Sequence, residues 1–331
     1  MAESRTDRLL ARGLAIVAPL TGLLVLLVLA AVTAPNFYSS AVLSLVLYQI
    51  GLIGVTALGQ TFVLLVGGID LSVGGVVGLT TVIVAVHSGG SDDKLLSAVV
   101  LALGAGLLVG ALNAALVLAR NVPPFVATFA VFVLVQGVVI AWTKGAPSGN
   151  VPSGLEWMGT GDLLGVPTPA WIFALFAVIA WAVLSRGTAG RRLYATGGNR
   201  RAAELSGIRT WTVIASCYVL CSLLAVVAGL INAGYIGYVD AQLSRTLDLN
   251  SIAAAVVGGV ALSGGKGRIE QTLLGVVLLG VLLTWLVQVG AGAGAQLLVS
   301  GAVILCAVWI QQRGADLPLP VRALSKRGTP S

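Results

Sequence analysis

The stretch GQTFVLLVGGIDLSVGGVVGLT, residues 59–80, decides how this chain folds. It is apolar enough to lie in a lipid bilayer, but the pair Gly67-Gly68 interrupts it and Asp70 adds a carboxylate. Because lipid offers no partners to backbone polar groups, a break at membrane depth must be buried in protein or line a cavity. The stretch therefore predicts a discontinuous membrane helix, a feature typical of transporter substrate sites.

Asp70 is the only charged residue between positions 12 and 92. A carboxylate in such surroundings is costly unless it faces protein, water or a helix end. In one interpretation, Asp70 or Ser72 caps the helix that restarts at Leu71, with backbone N–H groups near Val73 as donors. In the other, the charge of Asp70 orders the inner end of a solute pathway. We favour the cap, because the order Gly-Gly-x-Asp-x-Ser suits a helix start.

The composition is that of an integral membrane protein. Of the 331 residues, 57% are hydrophobic and 9% are charged, and the mean hydropathy is +1.01. A soluble domain carries about 25% charged residues. No polar stretch exceeds about 30 residues, which leaves no place for a soluble catalytic domain of ordinary size. We therefore expect one transmembrane domain over residues 1–331.

Apolar segments predict an all-α fold of about ten transmembrane helices, some of them short or broken. The predicted spans are residues 13–34, 41–66, 71–87, 95–119, 125–142, 169–184, 211–231, 251–263, 272–289 and 296–310. The span at 251–263 would cover about 20 Å of a roughly 30 Å hydrocarbon core, so it needs flanking residues or is a second broken element. In the fourth span, Gly104, Gly106 and Gly110 would let a neighbouring helix approach closely.

The basic residues predict the orientation. With the N-terminus inside, every Lys and Arg lies on the inner side except Lys94, Lys144 and Arg245. This bias places both termini in the cytoplasm, the long loop 143–168 outside and the basic tail 312–331 inside. The net charge of +7 therefore reports orientation and does not indicate binding to nucleic acid.

The region 186–210 is the most charged part of the chain. Its sequence predicts a turn that leads into a short exposed helix, with Asn199 as the cap. Asp70 is the only acid embedded among the spans, which disfavours transport driven by a proton or sodium relay. If solute moves uphill, we expect the energy to enter through another subunit that docks on this loop.

No motif for catalysis or cofactor binding is present. The segment Gly264-Gly-Lys-Gly lacks the earlier glycine and the final Ser or Thr of a phosphate-binding loop. One histidine, His87, and three cysteines without metal-ligand spacing give neither a metal site nor a catalytic triad. We expect no catalytic residue and no metal in this chain.

Two segments echo one another. VGGIDLSVG at residues 66–74 and VGGVALSGG at 257–265 both place a Gly-Gly pair before Leu-Ser at the inner end of a span. The broken first stretch and this echo together give the candidate pathway residues: Gly67, Gly68, Asp70, Ser72, Gly258, Gly259 and Ser263.

Motifs along nearly the whole chain are similar to those of one family. They are GGIDLSVG at 67–74, VPPF at 122–125, YATGGN at 194–199 with LSGI at 205–208, and IAAAVVGG at 252–259 with LSGGKGRI at 262–269. Together and in this order, the set resembles the ribose-type permeases of bacterial ABC importers. The resemblance implies a type II-like permease bundle in the bacterial cytoplasmic membrane that imports pentoses, hexoses or related sugars.

The resemblance also implies partners. These are a second permease copy or homologue, a cytoplasmic ATPase that holds ATP-Mg, an extracytoplasmic sugar-binding protein and membrane lipid. The chain itself would bind no cofactor and hydrolyse no ATP. The implied ATPase-coupling residues are Gly198, Asn199, Arg200, Arg201, Ala202, Ala203, Glu204, Ser206 and Gly207.

Two departures from the family pattern matter. Arg200 and Arg201 stand where acidic residues are frequent, which leaves the surface charge of the ATPase open. Asn250 replaces a carboxylate, which loosens the inference to ribose. The same machinery could carry a branched-chain amino acid, urea or a nucleoside. A self-sufficient secondary transporter is disfavoured by the few embedded ionisable groups, and a scaffold without transport by the broken, glycine-rich spans.

Overall fold

The computed structural model of the chain describes residues 5–119, 122–146, 149–238 and 246–316. The α-helices, numbered in chain order, are α1 (Arg5–Thr33), α2 (Ser40–Leu65), α3 (Val73–Ser88), α4 (Leu95–Ala119), α5 (Pro124–Thr143), α6 (Glu156–Thr160), α7 (Thr168–Arg186), α8 (Thr188–Gly198), α9 (Arg200–Leu205), α10 (Thr210–Ile236), α11 (Leu247–Gly258), α12 (Ile269–Gln288) and α13 (Ala293–Asp316). Strands β1 (Asp162–Leu163) and β2 (Val166–Pro167) form a small antiparallel hairpin. The prediction of an all-α membrane protein is confirmed, apart from this hairpin.

Within the described ranges, six helices are long and apolar enough to cross a membrane: α2, α4 with the turn before it, α5, α7, α10 and α12. The helices α1, α3, α11 and α13 carry shorter apolar stretches of 10–17 residues. Each predicted span overlaps one of these ten helices. The protein is therefore a multi-pass membrane protein, and the count of ten full crossings stays a prediction.

The helices α2 and α10 form the centre of the bundle. Helix α10 packs against α2, α3 and α4, while α2 also packs against α7, α11 and α12. Every residue from 51 to 65 in α2 is buried, as expected for a helix that is apolar on all sides. Two polar contacts join the centre across long sequence separations: Tyr48 with Asn232 at 3.3 Å, and Thr61 with Thr272 at 2.8 Å.

Small residues allow a close helix crossing between α4 and α10. A Cβ at Gly110 would lie 2.7 Å from the Val219 Cα atom, and one at Gly106 would overlap the Val226 side chain. These two positions confirm the predicted close approach. Gly104 does not take part, because a Cβ there would meet nothing within 4 Å. It lies on the exposed face of α4, because a residue two positions before Gly106 is about 200° away around the helix.

Three predicted segments differ from the structure. The span expected at 251–263 begins earlier, at Leu247, and ends at Gly258, where Gly259 takes a φ of 112°. The region expected as a turn before Asn199 is instead the helix α8, stabilised by burial of Leu193 and Thr196. Helix α13 extends to Asp316. The rest of the predicted tail, 317–331, lies outside the described residues.

On the side of the bundle opposite α8 and α9, short contacts tie the connecting segments together. The Asp92 carboxylate accepts hydrogen bonds from the Ser153 hydroxyl at 2.7 Å and the Gly154 amide at 2.8 Å. These bonds hold the pKa of Asp92 below its ordinary value. Asn150 also pairs with Tyr238 through an antiparallel bridge. The long loop 143–168 is therefore attached to the bundle, both at Asp92 and at the end of α10.

The substitution Gly110→Leu should destabilise the bundle, because the new side chain would overlap the backbone of α10. Overpacking of this kind costs about 1–3 kcal/mol. Thermal unfolding of the purified protein in detergent measures the effect. The matched control Gly104→Leu adds the same side chain to the exposed face of α4 and should leave the unfolding temperature unchanged. Equal unfolding temperatures for the two variants would contradict the packing described here.

Candidate functional site

The candidate site is the break between α2 and α3. Helix α2 ends at Leu65, and Gly67 then takes a φ of 79°, a left-handed conformation that favours glycine. Helix α3 begins at Val73, after Ser72 at the N-cap position. The predicted discontinuity is present, and its backbone groups must find partners inside the protein.

Side chains from two other parts of the bundle satisfy this backbone. The Gln60 amide pairs with both polar groups of the Asp70 backbone: its Nε2 donates to the carbonyl at 2.5 Å and its Oε1 accepts from the N–H at 3.3 Å. The Thr128 hydroxyl oxygen on α5 accepts the Leu71 N–H at 3.1 Å. The sequence analysis missed both residues. Each appears in the sequence as a polar side chain inside an apolar span.

The Asp70 side chain is completely buried and surrounded by donors. Its Oδ1 accepts the Ser72 N–H at 2.8 Å and the Ser72 hydroxyl at 2.6 Å. Asn113 on α4 approaches the same oxygen with its Nδ2 at 3.3 Å and donates to the Ser72 hydroxyl oxygen at 2.8 Å. Asn113, the only amide side chain in α4, was also missed.

The capping interpretation needs correction, because α3 begins at Val73 and not at Leu71, and the alternative cap Ser72 makes no side-chain bond to this helix. The backbone donor to Asp70 is the N–H of Ser72, whereas the expected donor was near Val73. Asp70 therefore closes the turn that leads into α3. This placement keeps the carboxylate next to the break instead of over the first helical turn.

Unpartnered polar atoms lie close to the break. The Tyr218 hydroxyl is buried without a hydrogen-bond partner, and a Cβ at Gly68 would lie 2.5 Å from it. Asn113 Oδ1 and Ser222 Oγ are buried and unpartnered as well. A cavity of about 240 Å³ adjoins the break, lined in part by Gly67, Gly68, Pro123, Thr196, Arg200 and Tyr218. A cavity beside an unsatisfied buried hydroxyl is able to admit water or a solute hydroxyl.

The structure brings only some of the predicted pathway residues together. Gly67, Gly68, Asp70 and Ser72 belong to the break, and a Cβ at Gly67 would lie 3.8 Å from the Ser263 carbonyl oxygen. Gly258 instead packs against the Gln271 backbone on α12, and Gly259 ends α11 with its positive φ. These two glycines serve the end of α11. Both echoing stretches therefore lie at the end of a helix, and the polar cluster belongs to the stretch after α2.

The predicted coupling loop forms a compact exposed unit. Asn199 Oδ1 accepts the Ala202 N–H at 3.0 Å, which confirms the predicted cap of α9. At the other end, the Gly207 N–H donates to the Glu204 carbonyl and the Ile208 N–H to the Ala203 carbonyl, with Gly207 at a φ of 81°. The predicted coupling residues Gly198, Arg200, Arg201, Ala202 and Ser206 surround these caps. The loop therefore presents a short, firmly capped helix.

The surface of α9 carries both charge and an apolar side chain. Arg200 and Glu204 form an ion pair, with the Arg200 Nε atom 3.1 Å from the Glu204 Oε1 atom. The Thr210 hydroxyl, and then Arg200, hold the pKa of Glu204 below its ordinary value. Leu205 is 84% exposed. An exposed leucine on a short capped helix is able to insert into a groove of another protein.

A broken helix around a buried carboxylate, inside a multi-pass bundle with a projecting loop helix, is the architecture of a membrane permease. The chain matches, over residues 42–308, the family described as branched-chain amino acid transport system / permease component, and it belongs to this family.

Individual relatives are similar over most of the chain. The ribose import permease protein of Escherichia coli strain K12 is 38% identical over 301 residues, 89% of this chain and 92% of that protein. The ribose import permease protein of Bacillus subtilis strain 168 is 36% identical, with the same two coverages. The galactofuranose transporter permease protein of Escherichia coli strain K12 is 35% identical over 83% of this chain and 81% of that protein. No solved structure was found to match the chain.

Substitutions at Asp70 should separate the two roles considered for this residue. Asp70→Asn keeps an acceptor for Ser72 and should fold and function nearly as the wild type does. Asp70→Leu leaves buried donors unsatisfied, at about 1–3 kcal/mol each, and should reduce the yield of folded protein. Yield and solute uptake are measured in parallel, with Asp93→Leu, at an exposed position, as the control. If Asp70→Asn assembles normally but abolishes uptake, the charge itself is functional.

Proposed function

We propose that this chain is the transmembrane permease subunit of an ATP-driven importer that carries a monosaccharide, a pentose, hexose or related sugar, into the cell. The observation that carries the proposal is that ribose and galactofuranose permeases are similar to the chain over more than four fifths of its length. The Asp70 cluster agrees with a neutral solute, because its carboxylate is already engaged by Ser72 and Asn113.

We propose further that the energy comes from a separate ATPase that receives helix α9. Arg201 and Leu205 are exposed there, while Arg200 is paired with Glu204. A second permease copy or homologue and an extracytoplasmic sugar-binding protein complete the proposed assembly. ATP-Mg would bind to the ATPase, and the proposed coupling residues are those of the capped unit 198–207.

The proposed topology has ten crossings, with both termini in the cytoplasm of a bacterium. Helix α7 supports the placement of the loop 143–168 and the loop that contains α8 and α9 on opposite sides of the membrane. It separates the β1–β2 hairpin from α8 by 19 residues, or about 28 Å of helix, which is close to the hydrocarbon thickness. The arginines around α8 and α9 support placing that side in the cytoplasm.

A second substrate class is favoured by the description of the family, which names branched-chain amino acids. An amino acid carries two charges, and the cavity beside the break offers Arg200 as its charged lining residue. Because Arg200 is already paired with Glu204, we place this alternative second.

Uptake by the reconstituted complex tests the proposal. The chain is purified with an ATPase and a sugar-binding protein from the same organism and placed in liposomes. Labelled ribose, galactose and leucine are then compared with and without ATP. ATP-dependent uptake of a sugar and none of leucine is expected. Uptake of leucine alone would replace the proposed substrate class.

The substitution Leu205→Arg should weaken binding of the ATPase. Burial of a leucine side chain contributes about 1.5–3 kcal/mol, so we expect at least about a tenfold loss of affinity. Co-purification of the ATPase at graded concentrations measures it. Leu164, which is 87% exposed at the tip of the hairpin, provides the matched control Leu164→Arg. Equal co-purification for the two variants would refute docking through α9.

Thiol labelling tests the orientation. Cys217 and Cys221 are buried and Cys306 is exposed, so Cys306→Ser provides the background. In intact cells, Leu164→Cys should react with a membrane-impermeant maleimide, because the hairpin lies outside. Leu205→Cys should react only after the membrane is opened. The reverse pattern would invert the proposed topology.

A further inference from the structure

Three separate stretches of backbone meet at the inner end of the bundle. Helix α8 lies there against the break after α2, residues 66–72, and against residues 259–268, which connect α11 to α12. We call these two stretches the broken segments. The Leu65 carbonyl, at the end of α2, accepts the Gly265 N–H at 2.8 Å. A Cβ at Gly197 on α8 would overlap that carbonyl oxygen and would lie 2.7 Å from the Gly265 nitrogen. We call the meeting point of Leu65, Gly67, Gly197, Gly264 and Gly265 the glycine junction.

The glycine junction is made of backbone against backbone. A Cβ at Gly264 would lie 2.9 Å from the Gly67 nitrogen and 3.0 Å from the Gly197 carbonyl oxygen. A Cβ at Gly265 would lie 2.7 Å from the Gly198 Cα atom. Side chains are able to rotate away from a close neighbour, but backbone is not. A displacement of α8 must therefore move both of the other segments or separate from them.

Tyr194 provides a second attachment between α8 and the turn that follows α11. Its hydroxyl donates to the Gly267 carbonyl at 2.8 Å. One helical turn further along, Gly197 touches Leu65. Helix α8 is thereby fixed at two points, one on the segment after α11 and one at the end of α2.

The position of the glycine junction connects two regions described above. On one side, only Asn199 separates α8 from α9, the helix proposed to contact the ATPase. On the other side, the junction includes Gly67, which lies three residues before Asp70 in the broken segment whose backbone Gln60 holds. The junction therefore links α9 physically to both broken segments.

We propose that the glycine junction passes the displacement of α9 to both broken segments at once, with Gly197, Gly265 and Tyr194 as positioning residues for transport. This inference rests on the proposed function, because it takes the ATPase as the source of the displacement. It assigns a role in coupling to residues that contact neither the solute nor ATP.

The first test compares solute moved per ATP hydrolysed in the reconstituted complex. Gly197→Ala adds one methyl group against the Leu65 carbonyl, and we expect uptake per ATP to fall by about 2- to 30-fold while the ATPase still co-purifies. Gly104→Ala adds the same methyl group where it meets nothing and should change neither quantity. An unchanged ratio for Gly197→Ala, or loss of the ATPase from the complex, would overturn the inference.

A milder pair covers the case in which Gly197→Ala fails to fold. Tyr194→Phe removes only the hydroxyl that holds Gly267. Tyr38→Phe is the matched control, since the Tyr38 hydroxyl likewise donates to a single backbone carbonyl, that of Leu27, at 2.7 Å. Uptake per ATP should fall by about twofold or more for Tyr194→Phe and not for Tyr38→Phe. Equal ratios for the two variants would contradict the assigned role.

A third measurement needs no transported solute, so it separates failure of this inference from failure of the proposed function. Ser263 is exposed beside the junction, and Ser263→Cys in the Cys306→Ser background reports on local movement. Addition of ATP to the complex should change the maleimide labelling rate by about threefold or more, and Gly197→Ala should abolish this change. A labelling rate that does not change when ATP is added would refute the proposed role of the junction, even if sugar uptake is observed. An equal change in Gly197→Ala would refute it as well. If no sugar is taken up but labelling behaves as expected, only the substrate assignment fails.

Discussion

The structure depends on one constraint: a helix broken inside a membrane must have its free backbone groups satisfied by protein. The Gln60 amide meets this need for Asp70, because it bonds both the backbone N–H and the backbone carbonyl of that residue, as a neighbouring strand would do. Thr128 on α5 serves Leu71, and Asn113 on α4 closes the polar cluster. Because these partners come from α2, α4 and α5, the break is stable only when all three helices are in place.

Local features could be predicted from the sequence, and contacts between distant segments could not. Hydropathy located the apolar helices, the glycines located the break, and Asn199 was identified as a cap, since each depends on a few neighbouring residues. Thr128 and Asn113 escaped detection because they lie 57 residues from Leu71 and 43 residues from Asp70. Distances of this kind are set by helix packing, which a single sequence does not display. Gln60 is only 10 residues from Asp70 and was missed because it lies on the other side of the break.

Tertiary contact also explains the error at α8. The segment before Asn199 is rich in Gly and Arg and was interpreted as a turn, but α8 gains its stability by burying Leu193 and Thr196 against the bundle. Here tertiary contact, and not intrinsic helix propensity, decides the outcome. The error at Gly104 is different, because the helical period already separates it from Gly106 and Gly110, which are four residues apart and face α10.

The hydrogen bond between Thr61 and Thr272 has a consequence for synthesis of the protein in the cell. Its two hydroxyls are 211 residues apart, so the ribosome completes the second partner roughly 10–40 s after the first, at about 5–20 residues per second. During this interval α2, with its buried Gln60 and Thr61, resides in the bilayer or its insertion machinery without its final neighbours. The Thr61 hydroxyl on α2 therefore remains without this partner for this interval, and slower translation would lengthen it.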